Sequence, residues 1–527
     1  MMSKMITAKQ AAELIGDGYT VGASTVGLAG WAEEVAMAIE ERYLTTGHPK
    51  NITLVHASAS GDRVTRTKGT HHLGYEGLVK RLICGHTGQA PRMAELVVQD
   101  KIECYFFPQG VICQLWRAIA GNKPGVITKV GLGTFVDPRL EGAKVTSKTH
   151  EDLVKLIELE GQEWLFFKKF PIDVAIIRGT VADENGNLTM DKEAVLLEQL
   201  PLAIAAKNSG GIVIAQVERI AKSNTLHPKK VKVPGVLVDY IVVAQPENHM
   251  QTEGTIFNPA LSGDIQIPMD NIESMELDER KIIARRAALE LSPRTVTNLG
   301  VGIPDGVGKV AAEEGIIDQV MLTTELGVFG GIPASGADFC AAFNAEAVIE
   351  HPSMFDFYDG GGLDVAFLGM AQADQHGNVN VSKFGGRAIG PGGFINITQN
   401  AKKVVFCSTF TNGAVFKIED GKLIILKEGK GKKFCSDVEQ VTFSGKYSQE
   451  MKQPVFYVTE RAVFTLEEGQ LTLIEVAPGI NIDRDILSLM DFQPRLSLSI
   501  KVMDEGIFRG TWGKLKATIE KKHYLQE

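Results

Sequence analysis

The segment MLTTELGVFGG, residues 321–331, carries a single acid, Glu325, at the end of a short apolar strand and the head of a glycine-rich turn. A carboxylate placed there has two readings. Strand ends facing a crevice are where open α/β sheets hold ligands, so Glu325 is a candidate nucleophile. Alternatively it solvates a turn, as most acids beside turns do. Gly327, Gly330 and Gly331 permit positive φ and close backbone approach, which a bulky ligand needs to reach a carboxylate.

Two more glycine clusters lie in the same half, YDGGGLD at 358–364 and GPGGFINIT at 390–398. Successive backbone N–H groups in such segments form an oxyanion hole or cradle an anion, or they simply make tight turns. In the first half, YFFPQG sets Gln109 and Gly110 after a strand of similar character and reads as the repeat counterpart of the Glu325 turn. If both halves contribute to one site, the Gln109 amide donates a hydrogen bond there; otherwise it is a turn residue.

Other motifs are excluded by their spacing. In LGVGIPDGVGKV, Asp305 stands where G-x-G-x-x-G requires its third glycine, and neither G-x-x-x-x-G-K-[ST] nor G-x-S-x-G occurs. Asp356, Asp359 and Asp364 crowd one loop without metal-ligand spacing and are read as caps, and KEGKGKKF at 427–434 as a solvated hairpin edge. No metal site is expected. The net charge of −9 argues against nucleic-acid binding, and six cysteines without a C-x-x-C pair read as reduced thiols. No apolar run is long enough to span a bilayer and no signal peptide opens the chain, so the expected location is cytoplasmic.

The elements that must position Glu325 alternate in period. Helical ITAKQAAELI and AEEVAMAIEERYL flank strand-like YTVGAS and NITLVHAS, and later apolar runs such as DVAIIRG, GIVIAQV and YIVVAQ are bounded by Gly, Pro and Asp. The fold class is therefore α/β, with open sheets covered by helices. An internal repeat refines it: DVAIIRGTVADENGNLTM and DVAFLGMAQADQHGNVNV match at a constant offset of 191 residues, from Asp173 to Asp364 and Asp183 to Asp374. A looser match of Thr20 with Thr295 has an offset of 275, so the first half holds about 84 additional residues, expected as a surface insertion. The division is an N-terminal domain over 1–245, a turn-rich linker over 246–277 and a C-terminal domain over 278–527 that carries Glu325. Beyond about residue 412, AVFKIEDGKLIIL and FTLEEGQLTLIEV read as hairpins added to the second sheet.

Taken together, TTELGVFGG, FDFYDGGGLDVAFLG, QHGNVNVSKFG and GPGGFINIT closely resemble family I CoA-transferases, in particular the acetate and propionate group with both halves fused in one chain. GHTGQAPRM, FPQGV and VGLGTFVDPR extend the likeness through the first half. The resemblance implies two related open α/β domains with the active site between them, and CoA exchange between a short-chain acyl-CoA and a free acid such as acetate or propionate. It implies ping-pong chemistry through a glutamyl-CoA thioester, with Glu325 as nucleophile, oxyanion contacts at Gly392 and Gly393, and Gln109 as the glutamine of the PQG segment. It further implies no metal or redox cofactor, coenzyme A being a substrate, and a cytosolic homo-oligomer, dimer or tetramer. An acyl-CoA hydrolase on the same scaffold and a non-catalytic CoA-binding module are the alternatives. The sequence departs from the family at GLAGWAEEV, where Glu34 stands near an expected asparagine, leaving Ser24 or an amide near Gly27 as substitute donors.

Overall fold

The computed structural model describes residues 4–62, 65–268 and 274–524. Packing divides the chain into two units. The first extends to Ile267 and also takes in Thr324–Asp356 and Gly385–Asn396; the second holds Pro268–Thr323, Phe357–Phe384 and the chain from Ile397 onward. Packing thus puts Glu325 in the N-terminal unit, although it follows the boundary drawn from sequence.

In the first unit, β1 (Thr20–Ala23), β2 (Ile52–His56), β3 (Val79–Cys84), β4 (Glu103–Phe106), β5 (Val174–Asp183), β6 (Ile212–Ala221) and β7 (Tyr240–Val243) form one parallel sheet. Their order is β4-β3-β2-β1-β5-β6-β7. All ten residues of β5 are buried, as expected of a parallel strand covered on both faces.

The second unit repeats the central part of this plan. Its strands β8 (Val296–Leu299), β9 (Met321–Thr324), β10 (Val365–Gly369), β11 (Val404–Cys407) and β12 (Val455–Val458) are parallel in the order β9-β8-β10-β11-β12. A core of Ile282, Ile283, Val310, Leu322, Phe367 and Val405, among others, packs the helices Glu279–Ala288 and Gly306–Glu313 onto it.

The repeat is visible in hydrogen bonds as well as topology. Asp173 accepts the Thr20 amide at 2.7 Å, and Asp364 accepts the Val296 amide at 2.8 Å, so the structural offset there is one residue more than the 275 read from sequence. Asp183 caps the turn after β5 through Asn185 and Asn187, as Asp374 caps its counterpart through His376 and Asn378. These aspartates fix turns, and the capping reading holds for Asp364. Asp356 instead lies within the helix His351–Asp359 and pairs with Arg117.

Three expectations are corrected here. Val21 pairs with Leu54, and Thr297 with Leu322, so Ala57 and not Gln109 occupies the position equivalent to Glu325. The additional first-half residues are only in part an insertion outside the main sheet: Gly125–Thr128, Val154–Leu159 and Gln162–Lys168 form a separate three-stranded sheet, but β3 and β4 widen the main sheet, and the following helix Gln109–Ala120 buries Val111, Ile112, Cys113, Leu115 and Trp116 completely. Residues 246–267 pack within the first unit, where buried Gln251 donates to the Lys192 carbonyl at 2.8 Å and accepts from the Asn258 amide at 2.8 Å. Part of the polar composition of that stretch is used for internal hydrogen bonds, while Glu247, Asp264 and Gln266 stay exposed. Residues 269–273 of the expected linker lie outside the described residues.

Of the two hairpins, Ala462–Glu467 with Gln470–Val476 extends the second sheet from β12, whereas Val415–Glu419 with Lys422–Lys427 forms a separate two-stranded sheet. Asp420 and Gly421 both have positive φ, the geometry of the two-residue turn their sequence signals. In KEGKGKKF, Lys433 is buried and donates to Ser408 and Thr409 at 2.8 Å each, so that lysine is internal. Among the described residues no helix is long and apolar enough to cross a membrane.

Candidate active site

β9 ends at Thr324, and the chain turns at once, the Gly327 amide donating to the Thr324 carbonyl at 3.2 Å. This turn carries Glu325. Gly327 has φ of 107°, and a Cβ there would stand 2.1 Å from the Ile349 carbonyl oxygen. Gly330 and Gly331 are likewise crowded, by Glu346 and by the Phe343 carbonyl. The three glycines therefore admit the returning segment 343–349 of the same unit, which is a tighter reason for them than ligand approach.

Gln109 is the first residue of the helix Gln109–Ala120. Its backbone amide donates to the Gly392 carbonyl at 2.9 Å, and the next amide, of Gly110, donates to Asn396 Oδ1 at 3.1 Å. Two N–H groups that a helix start leaves without internal partners are thereby used to anchor the 390–396 segment. The Gly392 amide is itself committed to the Gly85 carbonyl at 2.8 Å. Gly393 then lies directly against the acid: a Cβ on it would fall 1.9 Å from Glu325 Oε2 and 3.2 Å from the Phe355 ring.

The two carboxylate oxygens are consequently distinguished. Gln109 Nε2 donates to Glu325 Oε1 at 3.2 Å, while Oε2 faces Gly393. The structure thus brings Glu325, Gln109, Gly392 and Gly393 together within the first packing unit, with Gly327 in the same turn. YDGGGLD is not among them. It lies in the second unit, where the Gly361 and Gly362 amides close a turn on the Tyr358 and Phe357 carbonyls.

Neither first-half departure supplies a free donor. Glu34 sits in the helix Glu33–Thr46 and accepts from Asn248 at 2.7 Å and from the Gln245 amide at 3.2 Å. Ser24 donates to Glu198 Oε2 at 2.6 Å, and its oxygen accepts the Glu198 amide at 3.0 Å.

Sequence reasoning missed Glu198 and His351. His351 Nδ1 lies 3.0 Å from Glu198 Oε1, and His351 Nε2 lies 3.0 Å from Gln109 Nε2. Both side chains are completely buried. The available signal was two polar residues inside otherwise apolar stretches, VLLEQLPLAI and VIEHPSMF; what they pair with is 153 residues away in the chain.

Burial pushes the Glu325 carboxyl above the ordinary carboxylate range, outweighing the hydrogen bond from the Gln109 amide. Because the folded protein holds this proton more tightly than the unfolded chain does, the contribution to stability rises as pH falls from above the raised value toward the ordinary value of 4.5. Activity that needs the carboxylate runs the other way. The expected result is that, over this acid window, the first half-reaction slows while the stability difference between wild type and Glu325→Gln shifts in favour of wild type. Rate profiles and thermal unfolding of both proteins across that pH range test it, and a rate independent of pH down to about 4.5 contradicts it.

The Coenzyme A transferase family model matches residues 4–244. The chain is 55% identical over 526 residues to caffeate CoA-transferase of Acetobacterium woodii, with 99% of this chain and 100% of the relative covered. It is 45% identical over 508 residues to acetate CoA-transferase YdiF of Escherichia coli (strain K12), with 96% and 95% covered. The crystal structure of acyl-CoA transferase YdiF apoenzyme from Escherichia coli O157:H7 matches with a TM-score of 0.92 at 44% identity, covering 97% of each chain. A thioester complex of the same protein with CoA also has a TM-score of 0.92, at 43% identity and 97% of each chain. The chain belongs to the coenzyme A transferase family. Within it, the fusion of two related halves and the near full-length likeness make it an acyl-CoA:carboxylate CoA-transferase.

Proposed function

We propose that Glu325 is the nucleophile of this transferase and carries first the acyl group and then CoA. The observation that supports this most directly is the partly buried Glu325 carboxylate with Oε1 held by Gln109 and Oε2 set against Gly393. In the first step Oε2 attacks the thioester carbonyl, a C–O bond forms, the C–S bond breaks and CoA leaves as thiolate. The thiolate then attacks Cδ of Glu325, negative charge collects on Oε1 where the Gln109 N–H donates, and the first acid departs with Oε2. A glutamyl-CoA thioester remains. An acceptor carboxylate reverses these steps, giving ping-pong kinetics.

Each step is acyl substitution with matched leaving groups, so no redox or metal cofactor is required and coenzyme A enters as substrate. On the Gly390–Gly393 turn, the Gly393 amide has no hydrogen-bond partner among the described residues and is assigned to the thioester oxyanion; Gly392, whose amide is spent on Gly85, shapes the turn.

Supplying acyl-CoA without an acceptor traps the intermediate. Borohydride reduction followed by peptide mass spectrometry is expected to locate the modification on Glu325, and an unmodified Glu325 in an active enzyme overturns the assignment. Measuring CoA release with and without added acetate separates transfer from hydrolysis.

For the acyl group, short unbranched acids such as acetate and propionate are the first choice, supported by the likeness to the acetate CoA-transferase. A hydroxycinnamate is the second, since the relative at 55% identity is named for caffeate. The apolar residues Val328 and Ala334, which follow the acid in the chain and would be the first candidates for a substrate pocket, do not decide between them, because both are buried in an apolar cluster with Val26, Leu326 and Cys340. A donor panel against both acceptor classes does. We also propose a cytoplasmic homo-oligomer. The six cysteines as free thiols support a reducing compartment, and the oligomer follows from the family resemblance.

A further inference from the structure

Next to Gln109 lies a buried chain of polar groups that the transfer chemistry does not itself use. Gln109 Nε2 lies 3.2 Å from Glu325 Oε1 and 3.0 Å from His351 Nε2. One nitrogen thus meets two groups. An ionised Glu325 only accepts, so the amide must turn its NH2 toward it; the second N–H of that NH2 then points at His351, whose Nε2 must be an unprotonated acceptor.

The other ring nitrogen is arranged to ensure this. His351 Nδ1 lies 3.0 Å from Glu198 Oε1, and Glu198 accepts further from Ser24 at 2.6 Å and from the Cys113 thiol at 3.3 Å. A carboxylate surrounded by donors draws the ring proton to Nδ1 and leaves Nε2 bare.

The scaffold holds this geometry from several sides. The Glu198 amide is bound by Ser24 at 3.0 Å, and the preceding residue, Leu197, is a buried non-glycine with φ of 52°. Such backbone strain persists only where the surroundings over-determine it. The His351 amide donates to the Leu197 carbonyl at 3.2 Å. Gln114 and Arg117, on the Gln109 helix, bind Asp356 and Ser353 on the His351 helix, which ties the two helices together at their surface.

We propose that the Glu198–His351 pair is a positioning device that reads the orientation of the Gln109 amide, so that an N–H and not the C=O faces Glu325. With the amide reversed, a carbonyl oxygen would oppose the oxyanion that forms on Oε1. His351 is in this sense a positioning residue, and the inference rests on Glu325 being the nucleophile.

The test uses two substitutions and one measurement on the unaltered enzyme. His351→Phe removes the acceptor and keeps the ring's bulk; the expected kcat is lower by about 10- to 100-fold with KM for acyl-CoA changed by no more than about twofold, since only stabilisation of the transition state is lost. His351→Gln can offer its oxygen to Gln109 and its NH2 to Glu198, and is expected to restore kcat to within about threefold of wild type. Wild-type activity in His351→Phe overturns the proposal, as does failure of a folded His351→Gln to recover.

Should His351→Phe not fold, nitrogen-15 spectra of wild type, with the ring assigned through His351→Gln, decide the matter. A proton on Nδ1 with bare Nε2 supports the proposal, and the opposite tautomer overturns it. A stoichiometric metal in the purified enzyme that is lost in His351→Gln also overturns it, because Cys113, Glu198 and His351 would then be ligands. Failure of the nucleophile assignment is seen separately, as the absence of an adduct on Glu325 in wild type.

Discussion

Glu325→Gln is expected to fold normally and to lose CoA transfer by about four orders of magnitude or more, the scale seen when a covalent nucleophile is removed. The substitution keeps the volume of a partly buried side chain and removes a charge that desolvation disfavours, so thermal stability at neutral pH should be equal or higher. Acyl-CoA supplied alone should leave residue 325 unmodified. Glu325→Asp is a different case: the carboxylate survives but retreats by one methylene from the Gln109 amide, so transfer falls and the share of thioester lost to water rises. Thiol release and acyl transfer measured on the same samples distinguish the two variants. Retention of transfer within tenfold of wild type in Glu325→Gln would remove Glu325 from the mechanism.

Gly393→Ala carries the second largest effect, and its cause is steric. A methyl group there would stand 1.9 Å from Glu325 Oε2 and 3.2 Å from the Phe355 ring, so the carboxylate has to swing away from the orientation set by Gln109. A displacement near 1 Å of a reacting group costs on the order of 100-fold in rate, and kcat is the constant expected to show it. Gly369→Ala is the control: its Cβ would meet no atom within 4 Å, and activity should be unchanged. Equal activity in the two variants would mean that Oε2 is not the attacking oxygen.

Much of this was legible in the residues alone because it is local or periodic. Alternating apolar runs give parallel strands, Asp-Gly and Glu-Gly give two-residue turns, and equal spacing of Asp173 and Asp364 reveals two copies of one plan. Glu325 at a strand end and glycines at 390–393 were visible for the same reason. The resemblance places Gln109 at the site, but the repeat does not: topology makes Ala57 the equivalent of Glu325, and Gln109 heads the helix that follows two additional strands of the first sheet.

By itself, then, the sequence determined the α/β class, the duplication, the turn that presents Glu325 and the membership of the family, all of which depend on neighbours along the chain or on a motif intact in one stretch. Tertiary structure alone decided that residues 324–356 and 385–396 pack with the N-terminal unit, that Gly393 touches one oxygen of the acid while Gln109 holds the other, and that Glu198 and His351 stand behind Gln109. The physical reason is that a buried polar side chain must find its partner wherever packing brings one, and for Glu198 that partner is 153 residues away.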